Sequence, residues 1–120
     1  MNMIQSFALG MLKRAAVAAI TAEGPVIKQK IKDAVAADGP GAIDRSVGAA
    51  EGRITAAVEG WGPKWSWLQP IRDQVAAEVK THGDALAQNL DKQIAAQGPS
   101  AIDGVFDSAQ AILIARINAL

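Results

Sequence analysis

The chain repeats itself. Displaced by 59 positions, residues 12–61 lie on residues 71–120 without a gap, and 12 of the 50 aligned pairs are identical. The clearest stretch sets Ala36-Ala37-Asp38-Gly39-Pro40-Gly41-Ala42-Ile43-Asp44 over Ala95-Ala96-Gln97-Gly98-Pro99-Ser100-Ala101-Ile102-Asp103. Apolar positions agree more widely: Leu12/Ile71, Ala16/Val75, Ile20/Val79, Ile27/Leu86, Ile31/Leu90, Val35/Ile94, Val47/Phe106, Ile54/Leu113 and Val58/Ile117. What recurs is a core pattern and its punctuation, which constrains architecture far more than chemistry. A unit of 59 residues buries little surface alone, so the two copies are expected to share one core within one domain of 120 residues.

Helix is the expected element. Ala supplies 25 residues, Tyr is absent, and period-two alternation is nowhere sustained. Four of the five prolines follow glycine, at Gly24-Pro25, Gly39-Pro40, Gly62-Pro63 and Gly98-Pro99. Glycine ends a helix by taking the left-handed conformation, and proline starts the next because its missing N–H is no loss in a first turn. Gly83-Asp84 stands at the second-copy position of Gly24-Pro25, and Asp also suits a helix start. This punctuation predicts three helices per copy: about 4–22, 25–37 and 40–59, then about 70–81, 84–96 and 99–119. The expectation is all-α, a six-helix bundle of two tandem three-helix repeats with pseudo-two-fold symmetry. Repeat one covers about 4–60, a Trp-rich linker 61–69, and repeat two about 70–120.

Composition excludes several function classes. The formal net charge is zero, and the halves nearly balance, so the basic stripe of a nucleic-acid binder is missing. No cysteine is present, which removes disulfides and thiolate metal sites. Residues 15–20 are apolar but short and Ala-rich, and their images lie mid-chain, so a cleaved signal is not expected. No run approaches about 20 uninterrupted apolar residues, so a soluble chain without a spanning helix is expected.

Catalytic chemistry finds little to work with. His82, the only histidine, falls at an expected helix C-terminus, where a cation is favoured, and has no nucleophile near it in sequence. None of the five serines lies in Gly-x-Ser-x-Gly. Residues 60–66 lack the Gly-Lys-Ser/Thr ending of a phosphate loop. Asp44 and Asp103 read as early-helix acids, because no acidic cluster surrounds them to complete a hard-cation site. Lys28, Lys30 and Lys32 read as a solvated face. The expectation is therefore no catalytic, cofactor-binding or metal-binding residues, and no enzyme.

What remains is surface. All three tryptophans lie in the linker, and Trp65 and Trp67 read either as a plug at the repeat junction or as an exposed hot spot, with the plug favoured. Where the copies disagree, Ser46, Arg53 and Thr55 become Val105, Ile112 and Ile114. The first helix is also apolar on several faces, with Phe7 and Met11 among its large side chains. Both chain ends thus carry more apolar surface than the repeat needs. The expected interaction residues are Phe7, Met11, Trp65, Trp67, Val105, Ile112 and Ile114. The expected function is structural or assembly work, through self-association or docking on a protein partner. A small virion or phage accessory component suits that size and lack of chemistry. A membrane-surface helix is the alternative, weakened by the absence of a Lys/Arg-rich polar face on residues 1–20. A small-ligand-binding bundle comes third.

Overall fold

The computed structural model describes residues 2–62 and 64–120. Among them are four α-helices and no strand: α1 (Met3–Asp38), α2 (Ile43–Glu59), α3 (Gln69–Gln97) and α4 (Ile102–Asn118). Short 3-10 turns, Pro40–Ala42, Ser66–Leu68 and Pro99–Ala101, precede α2, α3 and α4. A 36-residue helix is about 54 Å long, and α1 accordingly sets the 50 Å long axis of the molecule.

Each short helix lies against both long ones. Side-chain pairs fix the directions: Lys13 reaches the Asn118 carbonyl, while Lys32 reaches Asp103. α1 and α4 therefore run antiparallel. Arg116 to Glu78 and Gln69 to Glu59 set α3 antiparallel to α4 and to α2 in the same way. The result is an up-down-up-down bundle, the topology that short connections between helices favour.

The six expected helices are four, because the joints at Gly24-Pro25 and Gly83-Asp84 are not breaks. α1 and α3 run straight through them. Pro25 withholds the N–H that would bond to the Thr21 carbonyl, which is costly in a helix interior, yet Ile20 and Ile27 on either side are buried. Tertiary packing overrides the local stop signal. The two glycines serve a different purpose: a Cβ on Gly83 would stand 2.7 Å from Glu51 Cγ, and one on Gly24 would strike the Gln110 amide. They make room for the side chains of Glu51 and Gln110 from the facing helices, rather than ending their own.

Gly39 and Gly98 do end helices. Their φ values are 78° and 82°, with ψ of −173° and −177°. This is not the left-handed cap the sequence suggests but the positive-φ, extended region that only glycine enters readily. Each N–H still closes the preceding helix, onto Val35 and Ile94 at 2.9 and 2.8 Å, and each carbonyl accepts from the 3-10 turn that follows. Chain reversal thus takes place in one residue.

The core follows the expected pairs. Eight of the nine apolar pairs named above are buried at both members. At the ninth, Leu12 is buried and Ile71 is only half so, because the neighbouring Arg72 takes the interior place. Arg72 Nη2 donates 2.7 Å to the Trp61 carbonyl just past the end of α2, where positive charge is favoured.

Gly39→Ala and Gly98→Ala should each cost about 1–3 kcal/mol, the cost of forcing a side chain into that region. Gly48→Ala, an exposed mid-helix site with open space at Cβ, should instead stabilise by about 0.5–1 kcal/mol. Urea melts of the three variants check the contrast.

Candidate functional site

The residues expected to carry contacts fall into three places. The first is the free end of α1. Asn2 starts the helix with a capping box: its Oδ1 accepts from the Gln5 N–H at 2.8 Å, and the Gln5 side chain accepts from the Asn2 N–H at 3.2 Å. The first two turns are therefore well formed. They hold out Met3, Ile4, Phe7 and Met11, which are 86, 68, 67 and 39% exposed. Spacings of three and four put these side chains within one arc of the helix. Ala8 and Leu12 face inward instead. The segment from Met3 to Leu12 holds no charged residue.

The second place is the linker. Trp65 and Trp67 stack, with ring centroids 5.6 Å apart and planes inclined by 22°. Trp67 and Trp61 pack against the core, whereas Trp65 remains exposed. Ile4 and Gln5 of α1 share a surface depression with Trp65 and Trp67. The linker thus extends the apolar end of α1, with one indole turned inward and the next outward.

The third place is α4, and here the expected residues divide. Val105 and Ile112 line a groove of about 640 Å³ between α3 and α4, and Ile112 is 53% exposed. Ile114 lies nine residues from Val105, on the opposite flank of the helix, and is half-buried against the core. Val105, Ile112 and Ile114 do not form one patch.

Two other residues take on new roles. His82 sits within α3, not at a helix end; its Nε2 lies 3.0 Å from Glu78 Oε2. Arg116 from α4 meets the other Glu78 oxygen at 3.3 Å, and its guanidinium, with His82 second, holds the Glu78 carboxyl below the usual range. Lys28 and Lys32 are not a merely solvated face. They span from α1 to Asp103 and Asp107 on α4, at 3.5, 2.7 and 2.8 Å, and these lysines depress the Asp103 carboxyl. Asp103 is an early-helix acid, as expected, but its partners come from another helix.

At the middle of the bundle a small apolar cavity of about 60 Å³ lies between all four helices, with Glu51 and Gln110 on its wall. Burial, then the charge of nearby Asp84, pushes the Glu51 carboxyl up to about 6, with Lys80 opposing. Sequence reasoning missed this residue. No sequence signal marks it, because its burial is decided by Gly83 on another helix. Among the described residues no group of three or more His, Cys, Asp or Glu side chains comes together to hold a metal.

A raised carboxyl pKa has a definite sign. Below its ordinary 4.5 the group is protonated in both folded and unfolded chains. Between 4.5 and about 6 the unfolded chain releases its proton first, so stability falls with rising pH and stays lower above that window. Glu51→Gln copies Gln110 and removes the effect. It should stabilise by about 1–2 kcal/mol at pH 7.5 and by almost nothing at pH 4, measured as the difference from the native protein in urea melts at the two pH values.

Comparison with known proteins adds no relative: no protein-family model, curated protein or solved structure matches this chain.

Proposed function

We propose that this chain is a non-enzymatic assembly protein, a helical bundle that associates with copies of itself or with a protein partner through its terminal helices. The observation that carries the reading is the free end of α1, where Met3, Ile4, Phe7 and Met11 stand exposed on one face. Folding does not need them there, since Leu12, Ala16 and Ile20 already supply the buried line of α1. Exposed apolar side chains gathered on one capped helix end are a contact surface, unlike the isolated ones that any protein carries.

The same reading takes the bundle as two tandem units, 12–61 and 71–120, related by a pseudo-two-fold axis through the central cavity. Residues 59 apart support this. Gly24 meets Gln110 as Gly83 meets Glu51, and Gly39 and Gly98 turn the chain with the same φ and ψ. Residues 2–9 have no counterpart in the second unit's helix, which begins at Gln69, the position 59 residues after Gly10. They are an addition to the repeated plan and the natural place for a function that the plan itself lacks.

A membrane surface is the second reading, favoured by one observation. α1 is long and apolar enough, by length and composition, to cross a membrane, and little of its most apolar window is buried. Against it stands the apolar face that α1 buries against α2 and α4.

Sedimentation of the native protein, together with flotation on neutral and anionic vesicles, separates the readings. The expected outcome is a mass above the 12.5 kDa monomer, no flotation, and reversion to monomer in the Phe7→Gln, Met11→Gln double variant with unchanged helix content. A monomer that floats supports the membrane reading, and a monomer that does not float contradicts both.

A further inference from the structure

The two hairpins treat the seam between their helices differently. In the first, ion pairs cross from α1 to α2: Arg53 to Glu23 at 3.0 Å and Arg45 to Asp38 at 3.1 Å. In the second, the residues 59 positions on are Ile112 with His82 and Gly104 with Gln97. Neither of these ion pairs is possible there; one other, Arg116 to Glu78, crosses from α4 to α3, and beyond it toward Gln97 the seam is an open groove of about 640 Å³. His82 is the only titratable group on its wall, and that ring is engaged by Glu78.

We propose that this groove receives the α1 free end of a second copy of the chain, so that copies join head to tail. The inference rests on the reading of residues 3–11 as the association face and names what they contact. Charge matching is one argument. The segment Met3–Leu12 is uncharged, and the groove, lined by the amides and hydroxyls of Asn89, Gln93, Gln97, Ser100 and Ser108 as well as by Val105 and Ile112, carries no charged group apart from His82, so neither surface desolvates a full charge when they meet. Dimensions are another. Met3 to Met11 spans eight residues, about 12 Å, while the α3 wall from His82 to Gln97 spans fifteen, about 22 Å. The segment fits lengthwise. Gly104 leaves open space where a Cβ would stand, so large side chains such as Phe7 and Met11 find room beside it.

Within one chain the two surfaces cannot meet. Lys13 is tied to the Asn118 carbonyl, so residues 3–11 lie beyond the end of α4, whereas the groove occupies the stretch of α4 before Ile112. The contact must come from another molecule. Because stripe and groove are different surfaces, the contact is heterologous: each copy keeps one free face of each kind, and the product is a ring or an open filament rather than an isologous dimer.

Two surface variants test this. Phe7→Asp spoils the stripe and keeps the groove. Gly104→Arg with Ile112→Arg fills the groove with the residues that the first hairpin carries, and keeps the stripe. All three positions are exposed, and circular dichroism melts check that both variants stay folded. By sedimentation, the native chain should be oligomeric and each variant alone monomeric. An equimolar mixture should form a 1:1 dimer and nothing larger, since one intact stripe then meets one intact groove. A native oligomer with either variant still associated, or a mixture that stays monomeric, overturns the head-to-tail contact while leaving association itself standing. A monomeric native chain overturns both.

Discussion

At the waist of the bundle the side chains of Glu51 and Gln110 occupy the space that a Cβ would take at Gly83 and Gly24. The rest of the bundle depends on this waist. The long helices pass through it without interruption, although Gly24-Pro25 carries the strongest stop signal available to a sequence. At the two glycines Ile20, Ile27, Val79 and Leu86 come together around a cavity of only about 60 Å³. The polar groups that wedge in have a cost, visible in the raised pKa of Glu51. Gln110 places an uncharged amide at the corresponding position.

Outside the waist the two hairpins are bound together by charge. Lys28 and Lys32 on α1 reach Asp103 and Asp107 on α4, while within the second hairpin Arg116 on α4 reaches Glu78 on α3. Exposed pairs of this kind contribute little individually, but they set which helices are neighbours and in what register. Cations at helix ends finish the task. Arg72 and Lys64 donate to carbonyls at the end of α2, and Lys13 donates to one at the end of α4. The bundle leaves two surfaces without such pairs: the start of α1, and the part of the α3–α4 seam between His82 and Gln97.

Much of this was legible from residue identities. Heptad-like spacing picked out the buried members of nearly every apolar pair, because burial of a stripe is a local property that repeats with the helical period. Gly39 and Gly98 marked true reversals. Gly24 and Gly83 misled, since a glycine that admits a neighbour and a glycine that ends a helix look alike until the neighbour is known. Arg72 and Glu51 were invisible for the same reason: their burial is decided by Trp61 and by Asp84 and Gly83, far off in sequence or on another helix. Of the surface residues, Phe7 and Met11 lie together on an exposed face, while Val105, Ile112 and Ile114 split across two sides of α4. One-dimensional divergence between repeats marks where surroundings differ. It does not say whether the new surroundings are a groove or the core.

The division between a self-sufficient waist and an added free end is best tested by amide hydrogen exchange recorded over a range of protein concentrations. Amides on either side of Gly24 and Gly83 should be slow at every concentration, because global unfolding is their only route to exchange. Amides of residues 3–11 should exchange quickly in dilute solution and become protected as the concentration rises. Fast exchange at Gly24 would contradict the continuous helix, and protection of residues 3–11 that does not change with concentration would contradict their role in association.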